Sequence, residues 1–306
     1  MTAAKFDYAR YLSLKKSIDD ASLNREVWAQ LAAYFSDHQS SEPLRILEIG
    51  GGIGTMIQRL LEADLLRNAA YTVIELEPRF ENLAAQNLAQ WCSDNGRRFS
   101  RHPHSWHIDR ENGHGVEIRW ETGDVSEILP GMPAASFDLV LGHAVLDLLP
   151  VPLVLPKLLA RLGSTGAFYF SLNYAGETRF EPSYPADDRI VRAYHHDMDW
   201  RFRELTWQAS RTGLHLGEWL ASNGCIVQAQ GSSNWSLSPH DGTNPVTQYF
   251  MTHILDTIEQ ALMGLEGLAD WLTVRREQLA AGDLGYFAAN QDFFGLMGNP
   301  YMATRR

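Results

Sequence analysis

An apolar run at residues 45–49, introduced by Pro43, is broken by glycines at alternate positions, Gly50, Gly52 and Gly54. Apolar side chains then resume at helical spacing over residues 55–63. A chain that passes from strand to helix through such a turn must bend within a few residues. It must also leave its backbone bare, which glycine allows because it has no Cβ. The N-terminus of the following helix presents backbone N–H groups, so the turn suits a ligand that approaches the main chain closely. Taken alone, it is equally a plain strand-to-helix connection or a dinucleotide site.

The order of elements around the turn narrows the choice. Strands are expected at residues 45–49, 71–76, 116–121, 137–142, 167–172, 225–230 and 285–294, from apolar runs bounded by glycine, proline and polar clusters. Helical periods occupy 55–63, 78–92, 154–162 and 214–222, and one or two long helices cover 247–279. Strands separated by crossovers predict an α/β fold: a doubly wound, mostly parallel, seven-stranded Rossmann-like sheet. Two amphipathic helices over residues 3–36, separated near residues 19–24, precede the first strand. The expected organisation is an N-terminal helical lid at 1–42 and one domain at 43–306, with insertions at about 93–115, 173–210 and 245–281.

Composition excludes several classes. The chain has 306 residues, 45% hydrophobic and 21% charged, the balance of an ordinary globular protein. Its formal net charge of -11, with no basic run beyond Arg97, Arg98 and Arg101, disfavours a nucleic-acid partner and favours a small-molecule substrate. No apolar run reaches membrane-spanning length and no cleavable leader is evident, so no membrane association is expected. Two distant cysteines, Cys92 and Cys225, point to a reducing, cytoplasmic setting.

Three acids accompany the glycines. Glu48 precedes them, Glu75 ends the second strand 21 residues after Gly54, and Asp124 follows the third expected strand in the run Thr122-Gly123-Asp124-Val125. An acid at the end of the second strand of a nucleotide-binding sheet bridges ribose hydroxyls. This ordered series resembles the class I S-adenosylmethionine-dependent methyltransferase family, whose first motif is an acid followed by GxGxG. Glu48, Gly50, Gly52 and Gly54 match it without a gap, and the likeness spans about residues 45–172. The resemblance implies S-adenosylmethionine as cofactor and S-adenosylhomocysteine as product. It implies that Gly50, Gly51, Gly52 and Gly54 contact the methionine part, with Glu48 ordering its amino end. Glu75, with Leu76 beside it, would hold the ribose hydroxyls, and Asp124 with the backbone of Val125 the adenine.

A sulfonium cofactor brings an activated methyl group, so transfer needs alignment first and a general base only for a protonated or hydroxyl acceptor. His143, just past the fourth expected strand, is the candidate base and also a cofactor neighbour; packing or helix capping is its alternative. Asp147 lies about one turn further on. Tyr11, Asn173, Tyr174 and Trp235 are candidate substrate residues. The run His195-His196-Asp197-Met198-Asp199 fits no metal signature, and neither do the histidines at 102, 104, 107 and 114, so no metal is expected. The N-terminal helices, with Tyr8, Tyr11, Lys15 and Lys16, are expected to act as a lid, as plain packing, or as an oligomer contact such as a homodimer.

The expected function is methyl transfer to the oxygen, nitrogen or carbon of a small molecule by in-line displacement. The alternatives are a cofactor-binding protein without transferase activity and a methyltransferase acting on a protein. A dinucleotide-dependent oxidoreductase fits less well, because Thr55 or Ile57 occupies the third small position its fingerprint needs.

Overall fold

A computed structural model of the chain describes residues 7–38, 42–110 and 114–298. The expected helical residues 3–6, and the parts of the expected domains at 39–41, 111–113 and 299–306, lie outside the described residues.

The elements in chain order are α1 (Tyr8–Ser22), α2 (Arg25–Asp37), β1 (Leu44–Ile49), α3 (Thr55–Glu62), β2 (Ala69–Glu75), α4 (Pro78–Asp94), β3 (Phe99–Arg101), β4 (Trp106–Asp109) and β5 (Gly115–Thr122). They continue with α5 (Val125–Ile128), β6 (Phe137–His143), α6 (Val151–Leu159), β7 (Leu162–Glu181), α7 (Asp187–Trp200), α8 (Thr212–Ser222), β8 (Cys225–Ser232), β9 (Trp235–Leu237), α9 (Pro245–Ala261), α10 (Leu268–Ala281) and β10 (Gly285–Met297). Local chemistry marks many of the boundaries. Asn24 accepts hydrogen bonds from the N–H groups of Glu26 and Val27 and so starts α2, and Pro78 occupies the first turn of α4.

One sheet runs through the molecule in the order β3-β4-β5-β2-β1-β6-β7-β10-β8, with β9 pairing β10. Strands β5, β2, β1, β6 and β7 are parallel, and β10 lies antiparallel between β7 and β8. The chain leaves β1 toward β2 on one side and later returns to place β6 on the other. The carboxyl ends of β1 and β6 therefore form the switch point at which such sheets bind ligands.

Both faces of the sheet are covered. Val27 and Leu31 of α2, Ile57 and Leu60 of α3 and Ala84 and Leu88 of α4 pack with Ile46, Tyr71 and Ile118 on one face. Val154, Leu155 and Leu158 of α6 and Leu216 and Leu220 of α8 pack with Leu47, Val140 and Phe170 on the other. Each fully buried aliphatic side chain here contributes about 1.5–3 kcal/mol. A third cluster, with Tyr11, Tyr174, Phe180, Phe250, Trp271 and Tyr286, joins α1, α9 and α10 to the carboxyl edge.

Among the described residues the sheet has ten strands where seven were expected. All seven expected strands are present. The three additional ones are short: β3 and β4 form an antiparallel ribbon that extends the β5 edge, with Trp106 stacked on Trp120 at 5.3 Å, and β9 adds three residues beside β10. Residues 173–181, expected to begin an insertion, prolong β7, because β10 is long enough to pair with them as far as Glu181. The long helical stretch is two helices, broken before Gly267, which has φ +73.

Candidate active site

The carboxyl edge of β2, β1, β6 and β7 opens on a cavity of about 430 Å3, roofed by α1, α7 and α9. That size falls within the roughly 300–1,000 Å3 of small-molecule sites. The glycine turn is its floor. Gly50 and Gly52 have φ of +67 and +55, a region that side chains with a Cβ avoid. A Cβ added at Gly50 would lie 2.6 Å from Val145 Cγ2, so the turn stays open only while that position is bare. Gly54 stands behind the cavity, where its φ is +81 and an added Cβ would lie 3.3 Å from Ala84 Cβ, so its bare position serves the packing of α3 on α4.

Glu75, at the end of β2, joins the turn to the second strand. Its Oε2 accepts from the Gly52 N–H at 2.8 Å and its Oε1 from the Glu77 N–H at 2.9 Å. A carboxylate has about four lone-pair sites, so two remain for a ligand's hydroxyls. Leu76 follows it and is exposed beside the cavity. The Gly123 N–H donates to the Glu75 carbonyl at 2.9 Å and brings the end of β5 alongside. There Asp124 caps α5, its Oδ1 accepting from the Ser126 N–H at 2.7 Å and hydroxyl at 2.5 Å, bonds that hold the carboxyl below its ordinary range. Val125 is buried beside it.

Glu48 is buried beneath the turn, and the Tyr71 hydroxyl donates to its Oε2 at 2.8 Å. Burial pushes its carboxyl up to about 7, outweighing the Tyr71 bond and the Arg59 guanidinium, which favour the charged form.

On the β6 and β7 side, His143 ends β6 with Ser171 Oγ 2.8 Å from Nδ1 and Asp19 Oδ2 3.2 Å from Nε2. Asp19 belongs to α1. It also accepts from the Lys15 ammonium at 2.5 Å and from the Trp235 indole N–H at 3.0 Å, and that ammonium lies 4.7 Å from the Trp235 ring. Burial alone would raise the Asp19 carboxyl, but Lys15 and His143 together bring it down to about 2. Burial pushes His143 down to about 4, with the Arg59 charge acting in the same direction. The ring is therefore neutral near pH 7. The ionised Asp19 places its proton on Nε2 and leaves Nδ1 to accept from the Ser171 hydroxyl.

Tyr11 stacks on Phe250 at 5.9 Å and against His253 at 3.9 Å. Tyr174 lines the wall, its hydroxyl 2.7 Å from Thr178 Oγ1 and 2.6 Å from His195 Nε2. Alternation along β7 turns its neighbour Asn173 away from the cavity. Asn173 is fully buried and donates to the Gln291 carbonyl at 2.9 Å, holding β7 to β10.

A comparison with protein families matches residues 25–228, about two thirds of the chain, to a family described as "Putative S-adenosyl-L-methionine-dependent methyltransferase". The chain belongs to this methyltransferase family. Among solved structures, the YcgJ protein of Bacillus subtilis shares the fold with a TM-score of 0.50 at 14% identity, over 88% of this chain and 97% of that one. A "putative methyltransferase" of Bacillus halodurans aligns with a TM-score of 0.49 at 12% identity, over 88% and 99%. No curated protein matches the sequence.

The methyltransferase thus takes S-adenosylmethionine as its cofactor, and its cavity suits that molecule: a floor without side chains at Gly50 and Gly52, and a Glu75 carboxylate with acceptor sites to spare. Several lining residues were not singled out in the sequence, among them Asp19, Tyr194, His253, Tyr286 and Asn290. For Asp19 a signal existed: Lys15 and Asp19 stand four residues apart on the face of α1 that carries Tyr11 and Ile18, where an unpaired charge would not be tolerated. His195, expected on a solvated insertion, sits on α7 against Tyr174.

Proposed function

We propose that this methyltransferase acts on a small-molecule acceptor held between the carboxyl edge of the sheet and the helices α1, α7 and α9. The observation that carries the reading is the small size of the space beside the cofactor. Residues from four parts of the chain, Tyr11, Tyr174, Trp235 and His253, line the same cavity of about 430 Å3 that has the glycine turn as its floor. A folded protein acceptor would need an open groove instead.

The cofactor, when bound, supplies a methyl group already activated on a sulfonium, which leaves the protein the tasks of alignment and exclusion of water. In this reading the backbone of Gly50, Gly51 and Gly52 receives the methionine portion. Glu48 braces the turn from below through Tyr71. Glu75 holds the ribose hydroxyls, with Leu76, Asp124 and Val125 about the adenine. His143 has both ring nitrogens engaged, so its part is to position Asp19 and with it α1; to serve as a base it would have to give up one of those partners. Of the two N-terminal helices α1 then forms the lid, for Tyr8, Tyr11, Leu12, Lys15 and Asp19 all face the cavity, whereas α2, expected to belong to the same lid, packs on a face of the sheet.

Among the described residues no helix is long and apolar enough to cross a membrane. Both cysteines are free and buried, which fits the cytoplasmic setting we propose.

The test is methyl transfer from S-adenosylmethionine labelled in its methyl group to a crude extract, followed by ultrafiltration. Label in the filtrate that depends on the enzyme supports the reading. Label confined to retained protein overturns it.

A further inference from the structure

Resting on the reading of a small-molecule acceptor site, the charges that face the cavity narrow the acceptor's chemistry. Among the described residues its lining carries the acids Asp19, Glu48, Glu75, Asp124 and Asp147, against Lys15 as the one lysine and no arginine. Lys15 is already paired with Asp19 at 2.5 Å. The two lining histidines, His143 and His253, are held neutral near pH 7 by burial, which pushes each down to about 4. Among the described lining residues no cation is left for a phosphate or carboxylate on the acceptor, and the chain's net charge of -11 repels such groups at a distance as well.

Among these acids Asp147 stands apart. It lies on the short 3-10 turn Leu146–Leu148 that follows β6 and packs on β7, whereas Glu75 and Asp124 end β2 and lead from β5. With the ribose and adenine on the β2 and β5 side of the glycine turn, Asp147 falls on the opposite side, over β6 and β7. Burial pushes its carboxyl up to about 6, against the backbone N–H groups of Asp147 itself and of Tyr174 and the charges of Lys15 and Arg201, and its buried Oδ1 has no hydrogen-bond partner. A buried carboxylate oxygen without a partner is costly, and a bound cation or donor would relieve it. The wall about it is aromatic: Tyr174, Tyr194, Trp235 and Tyr286 line the same cavity, and burial first, with the Asp147 charge adding to it, raises the hydroxyl pKa values of Tyr174 and Tyr194. Carboxylate and ring faces together recognise an organic cation.

We infer that the acceptor is an amine that binds as its cation on an aromatic-sized apolar body, with Asp147 as its counter-ion and the rings of Tyr174, Tyr194 and Trp235 as its wall. Before transfer the ammonium gives one proton to the Asp147 carboxylate, which frees the nitrogen lone pair to accept the methyl group. An alcohol or phenol of the same shape would add no charge to those that Lys15 and Arg201 already set against Asp147, and a carboxylic acid would meet repulsion.

Calorimetry on the enzyme saturated with S-adenosylhomocysteine tests this with three probes of one shape: 2-phenylethylamine, 2-phenylethanol and phenylacetate. The amine is expected to bind at least about tenfold tighter than the alcohol, and phenylacetate weakest. Asp147→Asn should abolish the preference for the amine while leaving the affinities for the alcohol and for S-adenosylhomocysteine within about twofold of the parent. Asp147→Glu, which keeps the charge, should retain the preference. Equal binding of amine and alcohol, tightest binding of phenylacetate, or no binding of any probe overturns the inference. So does an equal loss of S-adenosylhomocysteine and amine affinity in Asp147→Asn, which would assign the carboxylate to the cofactor. Failure of the parent enzyme to bind S-adenosylhomocysteine at all would instead contradict the methyltransferase reading beneath it.

Discussion

His143 at the carboxyl end of β6 and Asp19 on α1 meet at 3.2 Å, and through this contact the first helix is tied to the strand that ends at the switch point of the sheet. Lys15 at 2.5 Å and the Trp235 indole at 3.0 Å complete the knot. Four groups from α1, β6 and β9 thus fix where the roof of the cavity sits.

Removing one partner of a buried ion pair leaves the other charge uncompensated. Asp19→Ala should therefore cost about 3–5 kcal/mol in denaturant unfolding, and amide exchange over residues 7–22 should quicken. Replacing both partners, Lys15→Met with Asp19→Leu, should recover much of the loss. If Asp19→Ala unfolds like the parent, α1 is not anchored as described.

Two buried groups respond to pH in opposite senses, so each is read from the difference between parent and variant. His143 titrates near 4 when folded and 6.5 when unfolded, so the unfolded chain takes up the proton first as pH falls. The stability it contributes is present above about 6.5 and is lost toward 4, on the order of 3 kcal/mol in all. His143→Gln should flatten that part of the stability profile. Glu48 is raised from 4.5 to about 7, so its ionisation on folding becomes a cost as pH rises through that window. Glu48→Gln should stabilise the protein relative to the parent above pH 7 and have little effect near pH 4.5. Parallel profiles for parent and variant would contradict either assignment.

Gly50 has φ +67, and an added methyl would stand 2.6 Å from Val145 Cγ2. Gly50→Ala should lose about 1–2 kcal/mol of stability from the backbone conformation alone, with a further loss of affinity for S-adenosylhomocysteine as the turn shifts. Pairing it with Val145→Ala should restore part of the affinity. Calorimetry that shows no change in affinity would place the cofactor elsewhere.

Glu75→Ala removes a charged acceptor from the ribose and from the Gly52 N–H, and should weaken binding of S-adenosylhomocysteine by about 1–3 kcal/mol. Glu75→Gln keeps one oxygen and should fall between the two. Calorimetry showing parental affinity for the alanine variant would exclude a ribose contact.

The half of the candidate site that depends on local sequence was legible in the sequence alone. Glu48, Gly50, Gly52, Glu75 and Asp124 all stand at ends of strands whose order follows from alternating apolar periods, and the parallel sheet places those ends along one edge. The acceptor half was legible only in part, because it is assembled by long-range packing. Tyr11, Tyr174 and Trp235 were named from the sequence, but Tyr194, His253 and Tyr286 come from α7, α9 and β10, and nothing in their local spacing says that they converge with them. The strand count was low for a related reason. β3, β4 and β9 have three or four residues each, too few to show a period, and they exist because β5 and β10 offer edges to pair with. Asn173 was assigned to the acceptor wall from its place after a strand, and alternation along β7 turns it to the opposite face from Tyr174.

The most direct measurement is a crystal structure of the enzyme with S-adenosylhomocysteine. The account predicts the ligand across the glycine turn, its ribose hydroxyls on Glu75, its adenine beside Asp124, and its sulfur facing the chamber lined by Tyr174 and Trp235, beneath α1. Density for the ligand outside this cavity, or a ribose with no contact to Glu75, would contradict it.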